Sequence, residues 1–126
     1  RADPGRTVLA TLDGRSAELE ARFAGLAEIW ECGRDRVDLG AVLERLRADG
    51  VERLLLEGGG ELNWAMLDAG LVDELHLTLA PALLGGREAP TLLEGDGWPM
   101  AAQRRLVLSH CERAGDELHL TYEIAR

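Results

Sequence analysis

The chain has 126 residues, 46% of them hydrophobic and 29% charged, the size and make-up of one ordinary soluble domain. Fourteen basic residues against 23 acidic ones leave a net charge of −9, which excludes the cation clusters that nucleic acid requires. No apolar run approaches the roughly 18 residues of a membrane span, and no signal-peptide pattern opens the chain, so membrane and secreted classes are set aside. Every basic residue is an arginine; without lysine there is no Schiff-base chemistry and no Walker-type phosphate loop. Cys32 and Cys111 stand far apart with no metal-ligand spacing around them, and both read as reduced core thiols of a cytoplasmic protein without a metal.

In chain order, Thr7-Val8-Leu9-Ala10-Thr11 is a short apolar run closed by Asp13-Gly14, which predicts a buried strand and a turn. Ser16 stands where a cap belongs, with Glu18 and Glu20 in the first turn behind it and Leu19, Phe23 and Leu26 on one helical face. Ala27 to Cys32 alternates like a strand and ends at Gly33. Asp38 then caps a helix whose Leu39, Val42, Leu43 and Leu46 follow i, i+3, i+4, i+7, with its stop at Asp49-Gly50. Val51 to Leu56 reads as a third strand. It runs straight into Gly58-Gly59-Gly60, after which Leu62, Ala65, Met66 and Ala69 mark a helix ended by Gly70. Such β-α alternation builds a parallel sheet with helices on both faces.

The pattern changes after Gly70. Val72 to Leu79 sets Leu75, Leu77 and Leu79 against Glu74, His76 and Thr78, as a half-buried strand does. Leu83 to Gly86 and Pro90 to Pro99 are turn-rich and predict loops. Arg105 to Arg113 and Glu117 to Ile124, joined by Ala114-Gly115-Asp116, predict a hairpin. Residues 1–126 contain no repeat or linker and are expected to form a single α/β domain. The opening Arg1-Ala2-Asp3-Pro4 has no Met and is expected to lie within something longer.

The informative segment is Leu54-Leu55-Leu56-Glu57-Gly58-Gly59-Gly60-Glu61-Leu62-Asn63-Trp64. A strand entering glycines and then a helix lies at the carboxyl edge of a parallel sheet, where α/β folds bind ligands. Glycine lets backbone and ligand approach closely, and a helix N-terminus offers free N–H groups to an anion such as a pyrophosphate. A tight turn with no ligand accounts for a bare glycine triplet about as well. The segment is not the Rossmann fingerprint, because Gly58-x-Gly60-x-x-Asn63 lacks the third glycine.

Three motifs in order, Glu57-Gly58-Gly59-Gly60-Glu61-Leu62, Leu67-Asp68-Ala69-Gly70-Leu71-Val72-Asp73-Glu74-Leu75 and Ala80-Pro81-Ala82-Leu83-Leu84-Gly85-Gly86, resemble the reductase of riboflavin biosynthesis. That reductase is often the C-terminal half of a bifunctional deaminase–reductase. The resemblance covers nearly the whole chain. It implies a dihydrofolate-reductase-like fold with three αβα layers and a mostly parallel sheet ending in an antiparallel hairpin, of which this chain is the C-terminal portion. It also implies an NADPH-dependent oxidoreductase, reducing the ribosylamino group of 5-amino-6-(5-phosphoribosylamino)uracil or its 2,5-diamino form to ribitylamino by hydride transfer. The protein in such a reaction chiefly orients its reactants, so no catalytic side chain is expected.

Residue by residue, the resemblance places Glu57 beside the pyrimidine substrate. Gly58, Gly59, Gly60, Glu61, Leu62 and Asn63 hold the dinucleotide, and Thr11 lies near its adenosine end. Arg15 could meet the 2′-phosphate, although a solvated surface arginine explains it better. Glu61 departs from the family, where a small hydroxyl residue or proline is common, and its carboxylate would repel a pyrophosphate. Thr11-Leu12-Asp13-Gly14-Arg15 copies a Ser-Leu-Asp-Gly-type motif of the family in the wrong surroundings and is read as a decoy. Relatives are commonly homodimers, and His76, Thr78 and the outer face of the hairpin are the surface expected to meet a second subunit. Two alternatives stay open: a dihydrofolate-reductase-like oxidoreductase with another substrate, and an inactive truncated module that binds nucleotide or dimerises.

Other residues read as structural. His76, His110 and His119 fall on strands that could be neighbours, but nothing in the sequence makes them converge on a metal. Trp30 is expected in the core. Trp64 falls off the apolar stripe of its helix, and Asp73-Glu74 reads as a strand entry.

Overall fold

The computed structural model describes residues 5–125; the opening Arg1–Pro4 lies outside them. The chain divides between Leu55 and Leu56 into two compact units. The first holds β1 (Val8–Thr11), α1 (Ser16–Phe23), β2 (Glu28–Glu31) and α2 (Leu39–Ala48). β1 and β2 pair in parallel, Val8 opposite Glu28 through Thr11 opposite Glu31. Trp30 on β2 is completely buried, as expected, and Cys32 follows it into the core.

The arginines hold this unit together around Trp30. The Arg45 guanidinium lies 4.4 Å from the indole centroid and that of Arg6 5.5 Å from it, within cation–π range. Arg6 also donates to Glu28 Oε2 at 2.7 Å and to Asp49 Oδ2 at 2.6 Å, and Glu28 accepts from the Trp30 indole N–H. These bonds join the start of β1, β2 and the end of α2.

The two helices of this unit begin differently from each other. Asp38 caps α2 as expected, its Oδ1 accepting from the Ala41 amide at 3.0 Å. Ser16 does not cap α1. It is already the first helical residue, one position too far along, and its amide donates instead to Glu31 Oε1 at 2.8 Å. Helix α1 closes on Ala24 and Gly25 in left-handed conformation, so Leu26 lies beyond the helix and is 77% exposed.

Residues 51–56 form no strand. Their first amide, from Val51, closes α2 by donating to Leu46 O at 3.0 Å, and Leu54 and Leu55 are exposed. A strand exists only through ladder bonds to a neighbour, and the described residues offer this run none.

The second unit contains α3 (Gly60–Asp68), β3 (Glu74–Leu79), a 3₁₀ turn (Met100–Ala102), β4 (Leu106–Ala114) and β5 (Glu117–Ile124). The three strands form an antiparallel sheet in the order β3-β5-β4. Leu75 faces Tyr122 and Leu77 faces Leu120, and across β5 Leu108 and Cys111 take the same two partners. A bulge at Ser109 supplies the extra residue that keeps this apolar side in phase. Gly115, at φ +65°, is the first of the two residues joining β4 to β5, where a type II′ turn requires a glycine. The mixed α/β class and the terminal hairpin therefore match expectation.

Two expectations fail in this unit. α3 buries Met66 and Leu67, whereas Leu62 is 38% exposed and Ala69 is also exposed, so the buried stripe is rotated from the one the spacing predicts. Cys111 is an exposed thiol, not a core one. It lies on β4, an edge strand exposed along its whole length. His76, His110 and His119 share the polar side of the sheet, with His76 and His110 both opposite Thr121 and His119 opposite Thr78. Each lies within 4 Å of a glutamate two positions away on its own strand. No group of three potential ligands converges for a metal among the described residues.

Candidate functional site

Glu57 is exposed, and after it Gly58 and Gly59 take φ of +78° and +99°. Side chains disfavour this region by about 1–2 kcal/mol per residue, so the turn is a place for glycine. Gly59 is the N-cap of α3 and caps it with no side chain; its carbonyl accepts the first helical bond, from the Asn63 amide at 2.9 Å. The amides of Gly60, Glu61 and Leu62 precede that bond and have no acceptor within the helix, as at any helix start. A Cβ on Gly59 would meet nothing within 4 Å, so the backbone is open to an approaching group there. Every peptide bond among the described residues is trans.

The turn is closed on its other side. The Asn63 side chain fills the space that a Cβ on Gly58 would need, and Glu94 fills the corresponding space at Gly60. Asn63 Nδ2 donates to Leu92 O at 3.1 Å, and the Glu94 amide donates to Gly60 O at 3.0 Å. The same loop continues along α3. Gly95 lies against the Trp64 indole, Trp64 and Trp98 touch with ring centroids 4.3 Å apart, and Trp98 Nε1 donates to Asp68 Oδ1 at 2.8 Å. Arg104 reaches over Trp98 at 5.4 Å. Trp64, off the sequence-predicted stripe, is thus half-buried under residues 95–98.

The structure brings Gly58, Gly59, Gly60, Glu61, Leu62 and Asn63 together as one turn and helix start, with Glu57 leading into it. Glu61 is exposed in the first turn of α3. Thr11 belongs to the other unit, half-buried at the end of β1, where its carbonyl accepts from the Cys32 amide at 2.8 Å. The turn after it is fully engaged: the Asp13 amide donates to Gly33 O at 2.7 Å and the Gly33 amide returns to Asp13 Oδ1 at 3.2 Å. Arg15 pairs with Glu18 at 3.0 Å on the surface. The sequence marks Pro90 to Pro99 only as a turn-rich loop, and the loop's bonds to the turn and its helix use the Leu92 carbonyl and the Glu94 amide, backbone atoms that carry no sequence signal.

Residues 1–120 match the model of the RibD C-terminal domain. The chain belongs to that family. Over 123 residues it is 42% identical to the 2,5-diamino-6-ribosylamino-4(3H)-pyrimidinone 5′-phosphate reductase of Methanothermobacter thermautotrophicus, covering 97% of this chain and 57% of the relative. The Archaeoglobus fulgidus protein of the same name is 32% identical, covering 98% and 55%. The chain thus spans about half the length of these RibD-family relatives. Among solved structures, a pyrimidine reductase-like protein from Corynebacterium diphtheriae superposes with a TM-score of 0.75 at 23% identity, covering 94% of this chain and 49% of its own. Acinetobacter baumannii RibD superposes with a TM-score of 0.69 at 25% identity, covering 98% and 38%.

Proposed function

We propose that this chain is the C-terminal portion of one reductase domain and holds NADPH for reduction of a phosphoribosylamino pyrimidine to its ribitylamino form. The observation that carries the reading is the glycine turn Gly58–Gly60 opening α3, in a chain 42% identical to a protein named for that reduction. NADPH when bound supplies the hydride. The open backbone at Gly59 and the first-turn amides fit a dinucleotide's pyrophosphate, because N–H groups at a helix start favour an anion.

In this reading the backbone of the turn and helix start from Gly58 to Asn63 forms the seat of the dinucleotide, and Glu57 stands beside the pyrimidine. Glu61, on the exposed side of the first turn, weakens the local attraction without filling the space at Gly59. The protein's part is to bind and orient, since two correctly placed reactants need little further help from side chains. The enzyme is taken to be cytoplasmic. It is also taken to be a homodimer, which the exposed edge of β4 supports.

Thermal melting of the full-length protein tests the reading. NADPH at 100 times its Kd should stabilise by about 2.7 kcal/mol, a clear rise in Tm, and NADH should do less. A Tm indifferent to saturating NADPH rules the proposal out. Consumption of NADPH on adding the phosphoribosylamino pyrimidine, and not on adding dihydrofolate, identifies the substrate.

A further inference from the structure

Asn63 stands one turn into α3, but its side chain serves two neighbours outside the helix. Its Nδ2 donates to the carbonyl of Leu92 at 3.1 Å, and its amide group lies directly over Gly58. A single planar group therefore touches both the glycine turn and the loop at residues 92–98. That loop is held to α3 at further points, by the Glu94 amide on Gly60 O at 3.0 Å and by Trp98 on Asp68 at 2.8 Å. Glu94 anchors the turn at Gly60, and at Gly58 the neighbour is the Asn63 amide. Two successive glycines at positive φ have many other conformations open to them, and a contact on one of them narrows that choice.

The residue type suits the task. An amide carries a donor for the loop carbonyl and is short and flat enough to lie over a glycine. An aspartate in its place keeps the shape and loses the donor; a leucine keeps the volume and loses both polar atoms.

We infer that Asn63 is a positioning residue, latching the loop at 92–98 to Gly58 so that the turn keeps the backbone shape that receives the cofactor. Its side chain acts through that turn and does not itself contact the dinucleotide. The inference rests on the reductase reading above. It also accounts for the glycine at Gly58, where any side chain would displace the latch.

The test uses the full-length protein with Asn63→Leu and, should that variant not fold, Asn63→Asp. The KM for NADPH should rise about tenfold, while kcat changes by less than about threefold. Tenfold corresponds to about 1.4 kcal/mol, the scale of one hydrogen bond. Hydrogen exchange at the Glu94 amide should accelerate, and Trp64 and Trp98 emission should shift towards that of solvated indole. A variant with lowered Tm but unchanged KM for NADPH overturns the inference, because a merely structural asparagine behaves that way. Unchanged Glu94 exchange overturns it too. Wild-type protein that fails to bind NADPH removes the reductase reading and the cofactor part of the inference. Faster Glu94 exchange in the variant would still uphold the latch itself.

Discussion

Two chain reversals that lead into helices, one in each unit, have opposite characters. Between β1 and α1 the chain satisfies itself: Asp13 and Gly33 exchange two hydrogen bonds, and Glu31 takes the first helical amide of α1. Helix α2 is closed in the same manner by Asp38. Before α3 there is no capping side chain, only Gly58 and Gly59 at positive φ and a free space in front of Gly59. The contrast separates what glycine and carboxylate do at a helix start. A carboxylate ends the demand for an anion by supplying one, whereas a glycine leaves that demand to be met from outside.

The largest expected effect breaks the closed region. Trp30 is the largest fully buried side chain among the described residues, with Arg6 and Arg45 stacked on it and Glu28 on its indole N–H. Trp30→Ala should cost about 3–5 kcal/mol of stability, read as a fall in the denaturant midpoint. A loss below about 1 kcal/mol would mean that the first unit is not built around this side chain.

A pair of glycine substitutions sharpens the comparison. Gly14 and Gly58 have nearly the same φ, +81° and +78°, but a Cβ on Gly14 meets nothing within 4 Å and one on Gly58 runs into Asn63. Alanine at either position incurs the left-handed strain of about 1–2 kcal/mol. Only Gly58→Ala must also displace a neighbour, for a total of about 2–5 kcal/mol. Gly58→Ala should weaken NADPH binding at least tenfold, whereas Gly14→Ala should leave it unchanged. Equal losses of stability and affinity at the two sites would erase the distinction between a closed turn and a built one.

The two turns also differ in how far they could be read from sequence. The glycine triplet, the Asp38 cap, the α2 stripe and the terminal hairpin are local signals, complete within a few residues, and they survive intact. Ser16 is no cap because it is already the first helical residue, where its own amide needs an acceptor, and Glu31, 15 positions away, supplies one. The third strand failed because a strand needs a neighbour, and an apolar run such as Val51 to Leu56 does not name one. The loop over α3 was invisible for a related reason. Its bonds to Asn63 and Gly60 span 29 and 34 positions and end on or begin from backbone atoms, which every residue possesses. Glu57 and Gly58 to Asn63 were legible as a candidate site. That Asn63 turns its side chain away from the helix and onto Gly58 was not.

A smaller effect tests the carboxylate cap. Asp38→Ala removes the acceptor of the Ala41 amide and should lower stability by about 1 kcal/mol, measured in the denaturant midpoint. Asp38→Asn should retain most of it, because an amide oxygen accepts the same bond. If the alanine variant is as stable as wild type, the cap contributes nothing and the closed helix start is only geometry.

The smallest expected effect is the pH dependence of the carboxylates that close the first unit. The Trp30 indole and then Arg6 hold the Glu28 carboxyl below its ordinary 4.5, and the Ser16 amide lowers Glu31 in the same direction. A group whose pKa is lower in the folded state binds fewer protons there than in the unfolded chain. Its contribution is therefore fully present above about pH 4.5 and is lost as the pH falls through the depressed folded value. Both groups are solvent-exposed and screened, which keeps the effect modest. Denaturant midpoints between pH 6 and pH 3 should decline for wild type, and less steeply for Glu28→Gln and Glu31→Gln, which cannot titrate at those positions. Equal slopes in all the variants would place the acid sensitivity elsewhere in the chain and show that the closed helix start of α1 owes little to its carboxylate.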